Sequence, residues 1–371
     1  MTTTAAHPHA ARRHAARDYA DTPLNVYWET TLACALACRH CRAEAVPGAH
    51  PDQLTTEEGR RLLHQIAGFG DPLPQLILTG GDPLQRPDLL ELIDTAVALG
   101  ISVSITPAAT PRLTHGALAQ LKQHGVHGVG LSLDGASAER HDAIRGIAGC
   151  FERTLAAARW AVELGMPLQV NTLVTAETAP DLPAVYELVK AMPVTRWSLF
   201  FLIAVGRGRV LAPLEPAQGE ALMDWIYDLQ RSAPFAVATT EAPSFRRVAL
   251  GRMRAEQLAP EQIRSTSIYR GFGIRDGHGI VFVSHTGEIC PAGFLPLVAG
   301  NLRHDDLVQV YRSAPLFRDL HDPNTFGGHC GQCEYRMICG GSRARAFAAT
   351  GDPLAGDPFC PYVPVRGVAE G

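Results

Sequence analysis

The segment LACALACRHC places Cys34, Cys38 and Cys41 within eight residues, and no further cysteine follows until Cys150. Three thiolates on one short loop match three corners of a cubane 4Fe-4S cluster, which takes four ligands when closed. The fourth iron is left open, and an open metal position marks a catalytic centre as opposed to a structural one. Zinc is the competing reading, because three cysteines can recruit a nearby histidine. His40 sits between Arg39 and Cys41, which makes it a poor tetrahedral partner. A second group, CGQCEYRMIC, spaces Cys330, Cys333 and Cys339 as C-x2-C-x5-C, and Cys360 follows after twenty intervening residues. Four thiolates in that asymmetric order suit a second, fully ligated 4Fe-4S cluster, whereas zinc ribbons favour two C-x2-C pairs. Cys150 reads as a small buried residue. An odd count of nine cysteines in tight clusters, with no export signal, argues for metal ligation in a reducing, cytoplasmic compartment over disulfides.

Such loops need a rigid frame. NVYWETT (25–31), QLILTG (75–80), ISVSIT (101–106), GVGLSLD (128–134), PLQVNTLVT (167–175) and WSLFFLIAV (197–205) read as strands. Stretches with apolar residues at helical spacing, several with Thr or Asp before them and Gly after, separate the strands. Six βα units with right-handed crossovers give a parallel α/β sheet, short of the eight that close a full barrel. The expectation is a partial (β/α)6 barrel with its chemistry at the C-terminal strand edges. A helix at 215–233 and a hairpin in GIVFVSHTGEIC follow, with a domain boundary near residue 235.

The 371 residues are 46% hydrophobic, enough for two globular domains. A net charge of −4 gives no electrostatic reason for a nucleic-acid partner. The longest strongly apolar run, WSLFFLIAV, falls far short of the roughly 20 residues of a membrane helix. Residues 1–23, rich in Ala, His and Arg, read as a disordered tail without the apolar centre of a secretory signal.

The Cys34/Cys38/Cys41 spacing after a first strand resembles the radical S-adenosylmethionine (radical SAM) superfamily. That resemblance implies an open iron chelated by the amino and carboxylate groups of SAM, and reductive cleavage of SAM to a 5'-deoxyadenosyl radical. LTGGDPL (78–84) is similar to the family's Gly-Gly-Glu-Pro segment, with Asp82 in place of Glu, and places Gly80, Gly81 and Asp82 at the SAM amino group. Within LSLDG (131–135), Ser132 and Asp134 are expected at the ribose. Arg145, in HDAIRGIAGCF, is expected at the SAM carboxylate, and Thr106 and Asn171 end neighbouring strands as further contacts. The second thiol group resembles the SPASM extension, or its shortened twitch form. This implies a core at residues 24–234 and an auxiliary-cluster domain at 235–371, with Cys290 a relic of a missing cluster or an exchangeable ligand. VGRGR (205–209), PAGFLPLVAGNLR and the segment from Cys330 to Cys360 look like the branch that trims tetrapyrrole side chains in heme biosynthesis. There Arg207, Arg209, Arg343 and Arg345 would pair with substrate carboxylates, and a flavodoxin or ferredoxin would supply electrons. Enzymes that modify ribosomal peptides share these motifs. A non-catalytic iron-sulfur carrier would explain the second thiol group and leave the open triad unexplained.

Overall fold

The computed structural model describes residues 17–364. Its centre is one ten-stranded sheet in the order β10-β9-β8-β1-β2-β3-β4-β5-β6-β7. The strands are β1 (Asn25–Glu29), β2 (Gln75–Thr79), β3 (Val103–Ile105), β4 (Gly128–Ser132), β5 (Leu168–Val174), β6 (Arg196–Phe201), β7 (Ala236–Thr240), β8 (Ile280–Val283), β9 (Glu288–Cys290) and β10 (Gly300–Asn301). Neighbours from β1 to β7 pair in parallel. The crossover helices are α1 (Thr56–Ala67), α2 (Leu89–Ala98), α3 (His115–Gln123), α4 (Ala138–Arg145), α5 (Cys150–Glu163), α6 (Leu182–Lys190) and α7 (Pro216–Gln230).

Local chemistry explains these elements. Thr55 and Glu58 form a capping box at the start of α1, and Gly59, Leu62, Leu63 and Ile66 make its buried face. Two orphan helix N–H groups are thereby satisfied while one apolar stripe turns to the sheet. On β1, Val26 and Trp28 are fully buried in the main core, whereas the alternate residue Tyr27 faces the cavity described below. The period-two alternation of a strand thus divides packing from chemistry.

The frame extends beyond the six expected strands. β7 adds a seventh parallel strand beside β6. β8 pairs in parallel with β1 on the far side, and β9 returns antiparallel to β8 as the expected hairpin. The boundary expected near residue 235 falls between α7 and β7, and the strands after it continue the same sheet. Helix α4 was not expected. It carries only two buried residues, His141 and Ile144, too few for a visible apolar stripe. Residues 1–16 of the expected tail lie outside the described residues. Residues 17–23 depart from that expectation because hydrogen bonds fix them: Arg17 donates to the Pro72 and Leu73 carbonyls at 2.9 and 3.0 Å, and Arg312 to the Asp21 carbonyl at 3.0 Å. No helix among the described residues is long and apolar enough to cross a membrane.

Candidate active site

Cys34, Cys38 and Cys41 line one cavity together with residues at the C-terminal ends of the strands, among them Thr79, Ser132 and Thr240. Each sulfur accepts a hydrogen bond: from Leu36 N–H at 3.4 Å to Cys34, from Arg145 Nη1 at 3.7 Å to Cys38, and from Ala45 N–H at 3.5 Å to Cys41. Such donors favour metal-bound thiolate sulfur, so the three residues fit an iron-sulfur cluster. Burial pushes the Cys34 thiol up to about 11, which leaves it protonated at neutral pH until a metal takes the proton's place. The loop is clamped from two sides. A Cβ on Gly81 would sit 2.4 Å from the Ala33 carbonyl oxygen, and one on Gly146 would sit 2.6 Å from that of Ala37.

The structure gathers most of the residues singled out in the sequence. Gly80, Gly81, Thr106, Ser132, Asp134, Arg145 and Asn171 all line this cavity, with Ser132 beside Asn171 across β4 and β5. Asp134 also has a partner within the protein. Its carboxylate lies 2.6 Å from Arg145 Nη2 and accepts from Leu173 N–H at 2.8 Å, so it serves as the counter-charge of that guanidinium. Burial opposes ionisation of Asp134, but Arg145 outweighs it and holds the carboxyl below its usual range. Burial likewise pulls on Arg145, yet Asp134 and Cys38 raise it above the ordinary guanidinium value. His40 and His141 are both lowered to about 4 by burial and then by Arg145, so they are neutral at physiological pH. The Asp82 side chain is fully buried and turns away from the cavity, where it accepts from Thr110 Oγ1 at 2.9 Å and Leu84 N–H at 3.2 Å. Its shorter side chain ties the turn after β2 together.

Residues 28–189 match the model of the Radical SAM superfamily. The chain is 36% identical over 346 residues to the AdoMet-dependent heme synthase of Methanosarcina barkeri, covering 93% of this chain and 98% of that enzyme. The chain belongs to the radical SAM superfamily. An AdoMet-dependent heme synthase of Oleidesulfovibrio alaskensis is 35% identical over 91% of this chain and 87% of its own. In fold, the radical SAM chain is similar to SuiB of Streptococcus suis, crystallised with the precursor peptide SuiA. The TM-score is 0.71 at 19% identity, over 92% of this chain and 76% of that one. Membership implies an enzyme that carries a 4Fe-4S cluster, binds SAM, and needs a reductant and a substrate.

Two further groups complete the map of this radical SAM chain. Cys330, Cys333, Cys339 and Cys360 line a second cavity with Arg247, Tyr335 and Tyr362. Three of these sulfurs accept backbone N–H groups, from Asp357 at 3.2 Å, Tyr335 at 3.4 Å and Gly341 at 3.4 Å. Cys290 lines neither cavity. Cys150 opens α5 and is 1% exposed.

The four arginines expected at substrate carboxylates separate. Arg209 is exposed. Arg343 is fully buried and donates to the Pro353 and Ala355 carbonyls at 3.1 and 2.7 Å. Arg345 lies 3.4 Å from Asp357 and donates to the Glu241 carbonyl at 2.8 Å. Both hold the C-terminal segment in place, and only Arg207 of the four lines the main cavity. Sequence reasoning missed Tyr27, Arg42, Glu241, Asp276 and Phe282, which also line it. Strand parity could have found Tyr27, one residue from each of the core-facing Val26 and Trp28. Nothing local marks the other four.

Proposed function

We propose that this radical SAM enzyme acts on an iron tetrapyrrole and converts propionate side chains into vinyl groups. The make-up of the main cavity carries the reading. The thiol triad shares it with Phe200, Phe201, Phe282, Phe294 and Ile280, an apolar and aromatic surface suited to a flat macrocycle. The full-length likeness to AdoMet-dependent heme synthases supports it. Heme carries two vinyl groups beside two propionates, so its precursor by this route is an iron porphyrin with four propionates.

Cys34, Cys38 and Cys41 are assigned to the SAM-binding 4Fe-4S cluster, and Gly80, Gly81, Thr106, Ser132, Arg145 and Asn171 to SAM. Cys330, Cys333, Cys339 and Cys360 are assigned to an auxiliary 4Fe-4S cluster, with residues 24–234 and 235–371 as the two working parts. When bound, these groups supply a radical that removes a hydrogen atom from an unactivated carbon, and a sink for the electron left as the propionate loses carbon dioxide. The chain's own residues set the conditions. Asp134 keeps Arg145 charged and oriented, His40 stays neutral beside it, and the phenylalanine wall keeps water from the reacting carbon. A flavodoxin or ferredoxin is the proposed reductant.

Anaerobically reconstituted enzyme with dithionite, SAM and iron coproporphyrin tests this reading. The expected result is 5'-deoxyadenosine together with a porphyrin that has lost carbon dioxide by mass spectrometry. Porphyrin recovered intact while SAM is cleaved would contradict it.

A further inference from the structure

Three arginines line the main cavity, and their surroundings differ. Arg42 pairs with Glu29 at 3.0 Å, and Arg145 with Asp134 at 2.6 Å. Among the described residues, Arg207 has no carboxylate within ion-pair distance. Its backbone N–H donates to the Cys41 carbonyl at 3.0 Å, and its Nη1 donates to the Ala45 carbonyl at 3.3 Å. Its Nε and Nη2 are buried with no hydrogen-bond partner. These two nitrogens form the side of the guanidinium that a carboxylate meets with two parallel hydrogen bonds. A guanidinium with two buried, unsatisfied donors is costly unless a ligand anion completes it. Glu241 and Asp276 line the same cavity without pairing with Arg207. Glu241 accepts from Ser342 Oγ at 2.7 Å, and Asp276 from Ala344 N–H at 2.9 Å.

We propose that Arg207 seats one propionate carboxylate of the tetrapyrrole through Nε and Nη2, and so selects which side chain meets the thiol triad. The inference rests on the tetrapyrrole reading above. Selection follows from the attachment: Arg207 is bonded at its backbone to Cys41 and at its side chain to Ala45, so the anchor and the cysteine loop form one unit. A carboxylate held there fixes the macrocycle's rotation relative to the reacting position. The same carboxylate chemistry is present in the methionine moiety of SAM, and the test separates the two sources.

Binding is measured anaerobically on cluster-loaded wild type, Arg207→Gln and Arg207→Lys. The probes are iron coproporphyrin, its propionate methyl esters, and SAM, with iron content and circular dichroism as controls for folding. Wild type should prefer the free acid over the ester by about 10- to 100-fold, the size of a hydrogen-bonded charge contact. Arg207→Gln should lose that preference with SAM affinity nearly unchanged. Arg207→Lys should restore part of it, because a point charge replaces the fork. An equal acid-over-ester preference in wild type and Arg207→Gln overturns the anchor alone. Loss of SAM affinity with the porphyrin preference intact assigns the carboxylate to SAM and also overturns it. No porphyrin binding by wild type removes the tetrapyrrole reading and the anchor with it.

Discussion

Replacing Gly81 by Ala tests whether the turn after β2 clamps the cysteine loop. Gly81 N–H donates to the Thr31 carbonyl at 2.7 Å, and Asp82 N–H donates to that of Ala33, also at 2.7 Å. The added methyl would lie 2.4 Å from the Ala33 oxygen and 2.5 Å from that of Leu32, where real contacts stay above 3.0 Å. Both obstacles are backbone, so no side chain can swing aside, and the residues just before Cys34 must retreat by at least about 0.6 Å. Gly81 does not occupy the left-handed region, so the effect is steric alone. Overpacking of this kind costs about 1–3 kcal/mol. Misplacing a reacting group by about 1 Å lowers rate by about 100-fold, which makes a loss of about 10- to 100-fold in 5'-deoxyadenosine formation the expected outcome. Gly48→Ala is the control, because nothing lies within 4 Å of its added methyl, and it should behave as wild type. A Gly81→Ala enzyme with wild-type iron content and rate would refute the clamp.

Asp134→Asn keeps the shape of the side chain but strips Arg145 of its counter-charge where the two side chains are 2% and 12% exposed. A loss of about 3–5 kcal/mol in stability should follow, and an unchanged denaturant midpoint would contradict it. Burial holds His278 and His321 at about 4, below the ordinary 6.5. The unfolded chain therefore binds the extra protons, and stability is full above about pH 6.5 and falls as pH drops toward 4. Urea midpoints across that window should show the slope, and it should shrink in the His278→Gln, His321→Gln double variant. Cys360→Ala should lower iron content by about half while SAM cleavage without substrate persists. Full iron content in that variant would remove Cys360 from the auxiliary set.

The cysteine groups were legible because all their members but Cys360 lie close together in the chain, so spacing alone points to the chemistry. Strands β1 to β6 were legible from short β-branched runs between helical ones. The pairing of β8 with β1 was not, since Asn25 and Ile280 meet only through tertiary packing. β7, with Ala236 exposed and only Val237 of its five residues buried, carries little apolar pattern of its own. The residues lining the cavity at strand ends followed from the expectation that parallel strands carry chemistry at their C-terminal edges. Their partners did not. The Asp134–Arg145 pair, the inward turn of Asp82 to Thr110, and the structural duties of Arg343 and Arg345 are decided by which groups burial leaves without water. Sequence gives residue types, whereas the difference between Arg207 and Arg345 lies in whether a carboxylate has folded beside each.

The most direct test of the central claim compares 5'-deoxyadenosine formed by anaerobic wild type and by Cys38→Ala, both reduced with dithionite and given SAM. Wild type should form the product, and Cys38→Ala should form none while retaining the iron assigned to Cys330, Cys333, Cys339 and Cys360. Product formation by Cys38→Ala at the wild-type rate would contradict the assignment of the thiol triad as the seat of SAM cleavage.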